Sequence, residues 1–203
     1  MTLHIVGAGG FGRETLDAVR RSAQAPEVIF VDEDPTTEKL DGCHVVRPAR
    51  LDLAEPGRHD FVVAIADPTV RRRLADQFEG LGLRPATVID SSAVVSAGAR
   101  IGPGCVVLGH AFVSTGTVLG SHVQVNYQVS IGHDTVLGDF VTILPGANVA
   151  GSVTVAAAAT VGSNAAVLQG RRIGPAATVG AAALVTRDVS AGQVVIGVPA
   201  RPR

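Results

Sequence analysis

The stretch VSIGHDTVLGDF, Val129 to Phe140, sets a histidine and an aspartate side by side directly after an aliphatic–glycine pair, Ile131-Gly132. Comparable stretches elsewhere, RIGPGC, TVLGSH, TVGSN and RRIGPA, carry Pro, Ser or Asn after that pair. An imidazole can take a proton at neutral pH, and a neighbouring carboxylate can fix its tautomer and stabilise the imidazolium. His133 and Asp134 are therefore a candidate proton-transfer pair; the alternative is a solvated polar turn. A second run with chemical potential is GAGGFG. Gly7, Gly9 and Gly12 fit G-x-G-x-x-G, and Asp32 follows twenty residues after Gly12, matching a dinucleotide fingerprint. Bare amides at a helix N-terminus suit phosphate. The run reads as a seat for a nucleotide diphosphate, with a nicotinamide or flavin cofactor, or a purely structural turn, as alternatives. His, Cys and carboxylates nowhere fall at metal-ligand spacing, so no metal is expected.

The histidine sits inside a repeat. Stepping by six from Ile89 to Val185, all seventeen positions hold Val, Ile or Leu. Four residues after each comes a small or β-branched residue, as in Ala93, Ala99, Cys105, Ala111 and Thr117, with Arg171 the one clear misfit. A helix of period 3.6 cannot produce this, nor would a simple alternating strand. A parallel β-helix of hexapeptide repeats does. Cys105 then falls at a small interior position and is a poor nucleophile. It and Cys43 lie far apart in unlike contexts and read as reduced thiols.

The glycine run belongs to a different unit. Strand LHIV, the glycine turn and an amphipathic helix are followed by strand VIFVD. A third strand, FVVAIA (61–66), precedes Asp67 as N-cap, Pro68 at the first helical position, and a second helix. The chain thus reads as a small N-terminal α/β (Rossmann-like βαβ) domain over residues 1–83 and a parallel β-helix over 84–203. Hydrophobic residues make up 46% of the 203, aromatics only 3%, and 24 are glycine, which suits narrow layers of Val, Ile, Leu and Ala. A net charge of −1 gives no reason to expect nucleic acid or an anionic membrane as partner. No apolar run approaches the ~18 residues of a membrane span. The N-terminus lacks the features of a signal peptide, so a cytoplasmic protein is expected.

Together the two halves resemble the bacterial sugar O-acyltransferase family. That family includes sialic-acid O-acetyltransferases and N-acetyltransferases of nucleotide-linked 4-amino-4,6-dideoxy sugars. The resemblance spans essentially the whole chain and rests on GAGGFGRE, FVDEDP, AIADPTVRRRL, HDTVLGDFVTILPGANVAGSV and VVIGVPAR. It implies a left-handed β-helix in which three hexads make one triangular coil of 18 residues. It also implies a homotrimer, acetyl-CoA held between neighbouring prisms, and a nucleotide-linked sugar held by the N-terminal domain. Carried onto this sequence, it makes His133 the general base, Asp134 its orienting acid, Asn126 a further site residue, and the Gly151 amide the donor to the thioester carbonyl. One coil separates His133 from Gly151, so the two should lie side by side.

Candidate nucleotide-sugar residues are Gly9, Gly10, Phe11, Gly12, Arg13, Asp32, Glu33, Ala66, Asp67 and Arg71. Candidate CoA residues are Thr142, Gly151, Ser163, Gln169, Ala181 and Arg187. Gln169 and Arg187 share the Gly151 column, and Ser163 and Ala181 are expected in an adjacent one; Arg187 is either a partner for CoA phosphates or a free surface residue. Thr142 stands where relatives often carry a second histidine. Phe11, Gly132 and Ala66 also depart from the common His, acid and Gly. The same stacking puts Val94 over Phe112 and Val118 over Val136, while Val106 opens a third outer column. These read as a buried subunit contact or as scattered surface valines. His110 and His122 are expected at the surface or an interface. The expected activity is acetyl transfer from acetyl-CoA to the amine of a nucleotide-linked 4-amino-4,6-dideoxy sugar. O-acetylation of sialic acid or another sugar hydroxyl, non-catalytic nucleotide-sugar binding, and a nicotinamide-dependent oxidoreductase are the alternatives.

Overall fold

The computed structural model describes residues 2–22, 25–51 and 59–203. Its N-terminal unit comprises β1 (Thr2–Val6), α1 (Gly10–Arg20), β2 (Glu27–Val31), β3 (Lys39–Leu40), β4 (Cys43–Val46), β5 (His59–Val63), α2 (Pro68–Gly80) and β6 (Arg84–Pro85). The strands form one sheet in the order β3-β4-β2-β1-β5-β6. All neighbours are parallel except the β3–β4 pair. Three of these strands, β3, β4 and β6, escaped the sequence reading because runs of two to four residues carry no periodicity of their own. The third expected strand ends at Val63 rather than Ala66, because the chain leaves the sheet to reach its helix cap. There Asp67 Oδ1 accepts the Thr69 and Val70 amides at 2.8 and 2.9 Å, and Pro68 takes the first helical position. The third glycine of the turn has a packing reason: a Cβ on Gly12 would collide with the Gly7 carbonyl.

From Val88–Ile89 to Leu184–Val185, a two-residue strand recurs every six residues. As far as Ala166–Val167, each pairs in parallel with the strand eighteen residues on, for example Val106 with Gln124, Phe112 with Ser130 and Val118 with Val136. The strands stack into three faces. The first carries Val88, Val106, Gln124 and Thr142 outward, the second Val94, Phe112, Ser130 and Asn148, the third Val118, Val136 and Thr154. This is the expected β-helix. The hexad positions from Val107 to Val185 are all buried. The corners share one device: every sixth residue from Gly104 to Ala182 has a left-handed backbone, with φ near +60°.

Several expectations need correction. Ile89 is in register with Val107 but is 40% exposed, since it lies at the open first coil with no layer beneath it. The last coil is short. Val189 bridges Ile173 and Val194 pairs with Thr178, a step of sixteen rather than eighteen, so no full coil stacks Arg187 over Gln169. Val106 does point out of the prism, but against its own chain. It is fully buried in a core with Leu3, Ile5, Phe30 and Val62. The α/β domain covers the first face from Val88 to Thr142, and Gln124 Nε2 donates to the Val63 and Ile65 carbonyls at 3.0 and 3.1 Å. His122 is buried at this intramolecular interface, stacked on Phe140 and 3.2 Å from Glu79 Oε1; His110 is exposed. Val94, Phe112 and Val136 stay exposed.

Candidate active site

His133 and Asp134 occupy the corner between the second and third faces. His133 Nδ1 lies 2.9 Å from Asp134 Oδ2. A carboxylate only accepts, so Nδ1 carries the proton and Nε2 presents a lone pair. Three glycines make room for the pair. A Cβ on Gly116, one coil before, would strike Asp134 Oδ1, and one on Gly132 would strike the Gly151 nitrogen. A Cβ on Gly151, one coil after, would lie 2.5 Å from His133 Nε2 and 2.7 Å from Cε1. The imidazole therefore lies directly over a bare glycine, with its basic nitrogen turned toward that residue. The Gly151 amide has no backbone acceptor among the described residues. A free lone pair and a free N–H thus stand beside each other at an open corner: His133 and Asp134 side chains are 53% and 67% exposed. The arrangement can take a proton from a nucleophile and donate to an oxygen that gains charge.

Other candidates fall elsewhere. Asn126 lies at the corner between the first and second faces, buried, with Nδ2 donating to the Ile143 carbonyl at 3.0 Å. The strand Ser130–Ile131 separates it from His133 within the chain. Ser163 and Ala181 also lie on the Asn126 corner, not in a column adjacent to Gly151. A whole prism face intervenes, because six residues carry the chain from one corner to the next. Gln169 is exposed on the His133 corner, one coil beyond Gly151. Thr142 does not face that corner. It is buried under the α/β domain, donating to the Ala66 carbonyl and accepting from Arg71, both at 3.0 Å.

Arg71 is the clearest correction. It is fully buried, and all five guanidinium N–H groups are used within the chain. Nε donates to His122 O, Nη1 to Ile65 O and Ala66 O, and Nη2 to Phe140 O and Thr142 Oγ1, at 2.6–3.0 Å. Burial pulls its pKa down to about 10. It clamps α2 to the prism and has no donor left for a nucleotide. Sequence alone gave no sign of this, since in RRR (71–73) only the first points inward; Arg73 reaches Glu33 at 3.1 Å and Arg72 lies over Phe140.

The remaining N-terminal candidates surround the C-terminal ends of β1 and β5, where the strand order reverses, the usual crevice of an open α/β sheet. Gly9 is the N-cap of α1, and Gly10, Phe11 and Gly12 supply its first turn. Asp32 accepts the Ala8 amide and the Asp34 amide, both at 3.0 Å. Arg13 is paired with Asp41 at 2.7 Å on the surface. Ala66 and Asp67 form the facing loop. A small cavity of about 110 Å³ lined by Gly7, Asp32, Glu33, Ile65 and Arg73 lies between.

This geometry has close counterparts. Residues 2–78 match the PglD N-terminal domain family. The acetyltransferase domain of PglB from Neisseria gonorrhoeae FA1090 is 32% identical with a TM-score of 0.95, over 100% of this chain and 99% of that one. The chain belongs to the bacterial sugar O-acyltransferase family. The same Neisseria domain is also known in complex with acetyl coenzyme A. A histidine-to-asparagine variant of perosamine N-acetyltransferase from Caulobacter crescentus, in complex with CoA and GDP-perosamine, is 31% identical with a TM-score of 0.92 over 100% and 97% of the two chains. WeeI from Acinetobacter baumannii AYE is 28% identical over the full length of both, with a TM-score of 0.87. No curated protein sequence matches the chain.

Proposed function

We propose that this protein transfers an acetyl group from acetyl-CoA to the amine of a nucleotide-linked 4-amino-4,6-dideoxy sugar, acting as a cytoplasmic homotrimer. The observation that carries the reading is the His133 imidazole, held by Asp134 through Nδ1, with Nε2 lying against Gly151. Nε2 takes the proton of the attacking amine as nitrogen bonds to the acyl carbon. Asp134 stabilises the resulting imidazolium, and the Gly151 amide donates to the thioester oxygen as it gains charge. The C–S bond then breaks and the imidazolium returns its proton to the departing thiolate. Relatives bound to acetyl coenzyme A and to GDP-perosamine support the donor and the acceptor class. The glycine turn, Asp32 and the Ala66–Asp67 loop form the nucleotide crevice in this reading.

The positions of the corners support the trimer. Asn126, Ser163 and Ala181 line one edge of the second face, while His133, Gly151 and Gln169 line the other. Exposed Val94 and Phe112 lie on that face between them. Packing one chain's His133 edge against a neighbour's Asn126 edge unites the two sets and covers the apolar side chains. The test is free thiol released from acetyl-CoA, by wild type and His133→Ala, with UDP-, dTDP- and GDP-linked 4-amino sugars, CMP-linked sialic acid and free sialic acid. We expect release with one amino sugar and a fall of ~10²–10⁴ in the variant, with both proteins sedimenting as trimers. Release confined to a sialic acid, or a variant within a few fold of wild type, would refute the assignment.

A further inference from the structure

The prism interior is apolar with two exceptions close behind the candidate site. Among the small inward positions that follow the aliphatic ladder, from Ala93 to Ala183, only Thr117 and Thr135 carry a hydroxyl. Both are fully buried, and both lie on the inner side of the His133 corner. A buried hydroxyl costs free energy unless it is bonded, and each is bonded to one peptide of the site. Thr117 Oγ1 donates to the Gly132 carbonyl at 3.2 Å. Thr135 Oγ1 donates to the Ala150 carbonyl at 3.0 Å and accepts the Val153 amide at 3.3 Å.

The Ala150 carbonyl belongs to the same peptide plane as the Gly151 N–H. In a trans peptide the two point in opposite directions. With the carbonyl drawn inward by Thr135, the N–H is turned outward, to the side where Gly132 and His133 lie against Gly151. We infer that Thr135 is a positioning residue for acyl transfer, holding the Ala150–Gly151 peptide so that its N–H is fixed toward the thioester oxygen. The inference rests on the proposed function for the role of that N–H. A bonded carbonyl also polarises its own amide, which makes the N–H a better donor.

Thr135→Val is the test substitution, because valine natively fills the same inward position one coil later, at Val153. Removing an entire oxyanion donor lowers kcat by about 10²–10³; loosening one that remains should lower it by about tenfold. We expect that fall in kcat with the sugar-nucleotide KM unchanged, and recovery in Thr135→Ser. In the protein without substrate, the Gly151 amide resonance should shift and its hydrogen exchange speed up in Thr135→Val, and both should revert in Thr135→Ser. An unchanged kcat in Thr135→Val while His133→Ala is inactive would overturn the inference and leave the proposed function standing. An unmoved Gly151 resonance would also overturn it. A wild type that transfers no acetyl group would remove the proposed function and this inference together.

Discussion

Replacing Gly151 by alanine should separate activity from stability. The backbone there is not left-handed, so alanine meets no strain from φ. Its Cβ would lie 2.5, 2.7 and 2.9 Å from three atoms of the His133 ring, where ordinary contact needs 3.4–4 Å. The ring must give way by roughly an ångström, and with its side chain 53% exposed it can swing into solvent. That movement breaks the 2.9 Å bond to Asp134 and carries Nε2 off the acyl centre. Misplacement by about 1 Å costs about 10² in rate, so turnover should fall by at least that factor. Stability should move the other way, because glycine to alanine at a compatible site restricts the unfolded chain and gains about 0.4–1 kcal/mol. The assay pairs acetyl-CoA turnover with thermal unfolding of the same preparation. An alanine variant with turnover within threefold of wild type would show that the ring does not need its place over Gly151. A variant that fails to fold would show that the clash is with the scaffold and not with the imidazole.

Two further outcomes follow from buried groups. Arg71→Ala leaves the His122 and Phe140 carbonyls without a donor among the described residues, while Ile65 O keeps Gln124 and Ala66 O keeps Thr142. Two orphaned acceptors cost about 1–3 kcal/mol each, partly offset by relief of the guanidinium's desolvation, so melting should fall by roughly 4 °C or more; a change under 2 °C would refute the clamp. His4 is buried on β1, 3.2 Å from His59, and its pKa is lowered from 6.5 to about 4. Burial and His59 cause this, against the opposing pull of Asp60 and Glu27. Between pH 6.5 and 4 the unfolded chain takes up a proton there that the folded chain refuses. Stability should therefore fall with pH across that window by about 3 kcal/mol. Denaturant titrations of His4→Gln should show a flatter acid limb; an unchanged slope would refute it.

The solenoid was legible because its core is a one-dimensional ladder: a hexad aliphatic at every step leaves no other reading. The turn at Gly7–Gly12 and the cap at Asp67 were legible because local chemistry dictates them. What the sequence could not show is which outward face is covered, since a strand pair such as Val106-Val107 places one residue in the prism and one outside whatever lies beyond. That choice is made by the α/β domain. It turned Val106 from a subunit contact into domain core, Thr142 from a CoA candidate into a partner of Arg71, and Arg71 from a nucleotide-sugar candidate into a clamp. Ser163 and Ala181 were misplaced for a different reason. They fall at a different corner from Gly151, with the whole second face between, because a shift that is not a multiple of eighteen moves a residue to another corner.

The corner backbone explains why one histidine stands apart from the others. Each corner needs a left-handed residue three places after the inward aliphatic, and Gly, Asn, Asp and His take that conformation most readily. His110, His122, Asn164 and Asp134 all sit at such positions, with φ between +55° and +58°. The aspartate of the pair is thus a residue the fold already favours at its site. His133, one place earlier, has no such backbone requirement, and an imidazole there has to be accommodated by the bare Cα of Gly151 on the next coil. A corner that carries Asp134 in this favoured backbone, with Gly151 one coil on, needs only one added side chain to hold a general base. His133 is that side chain, and its presence is accounted for by chemistry rather than by the fold.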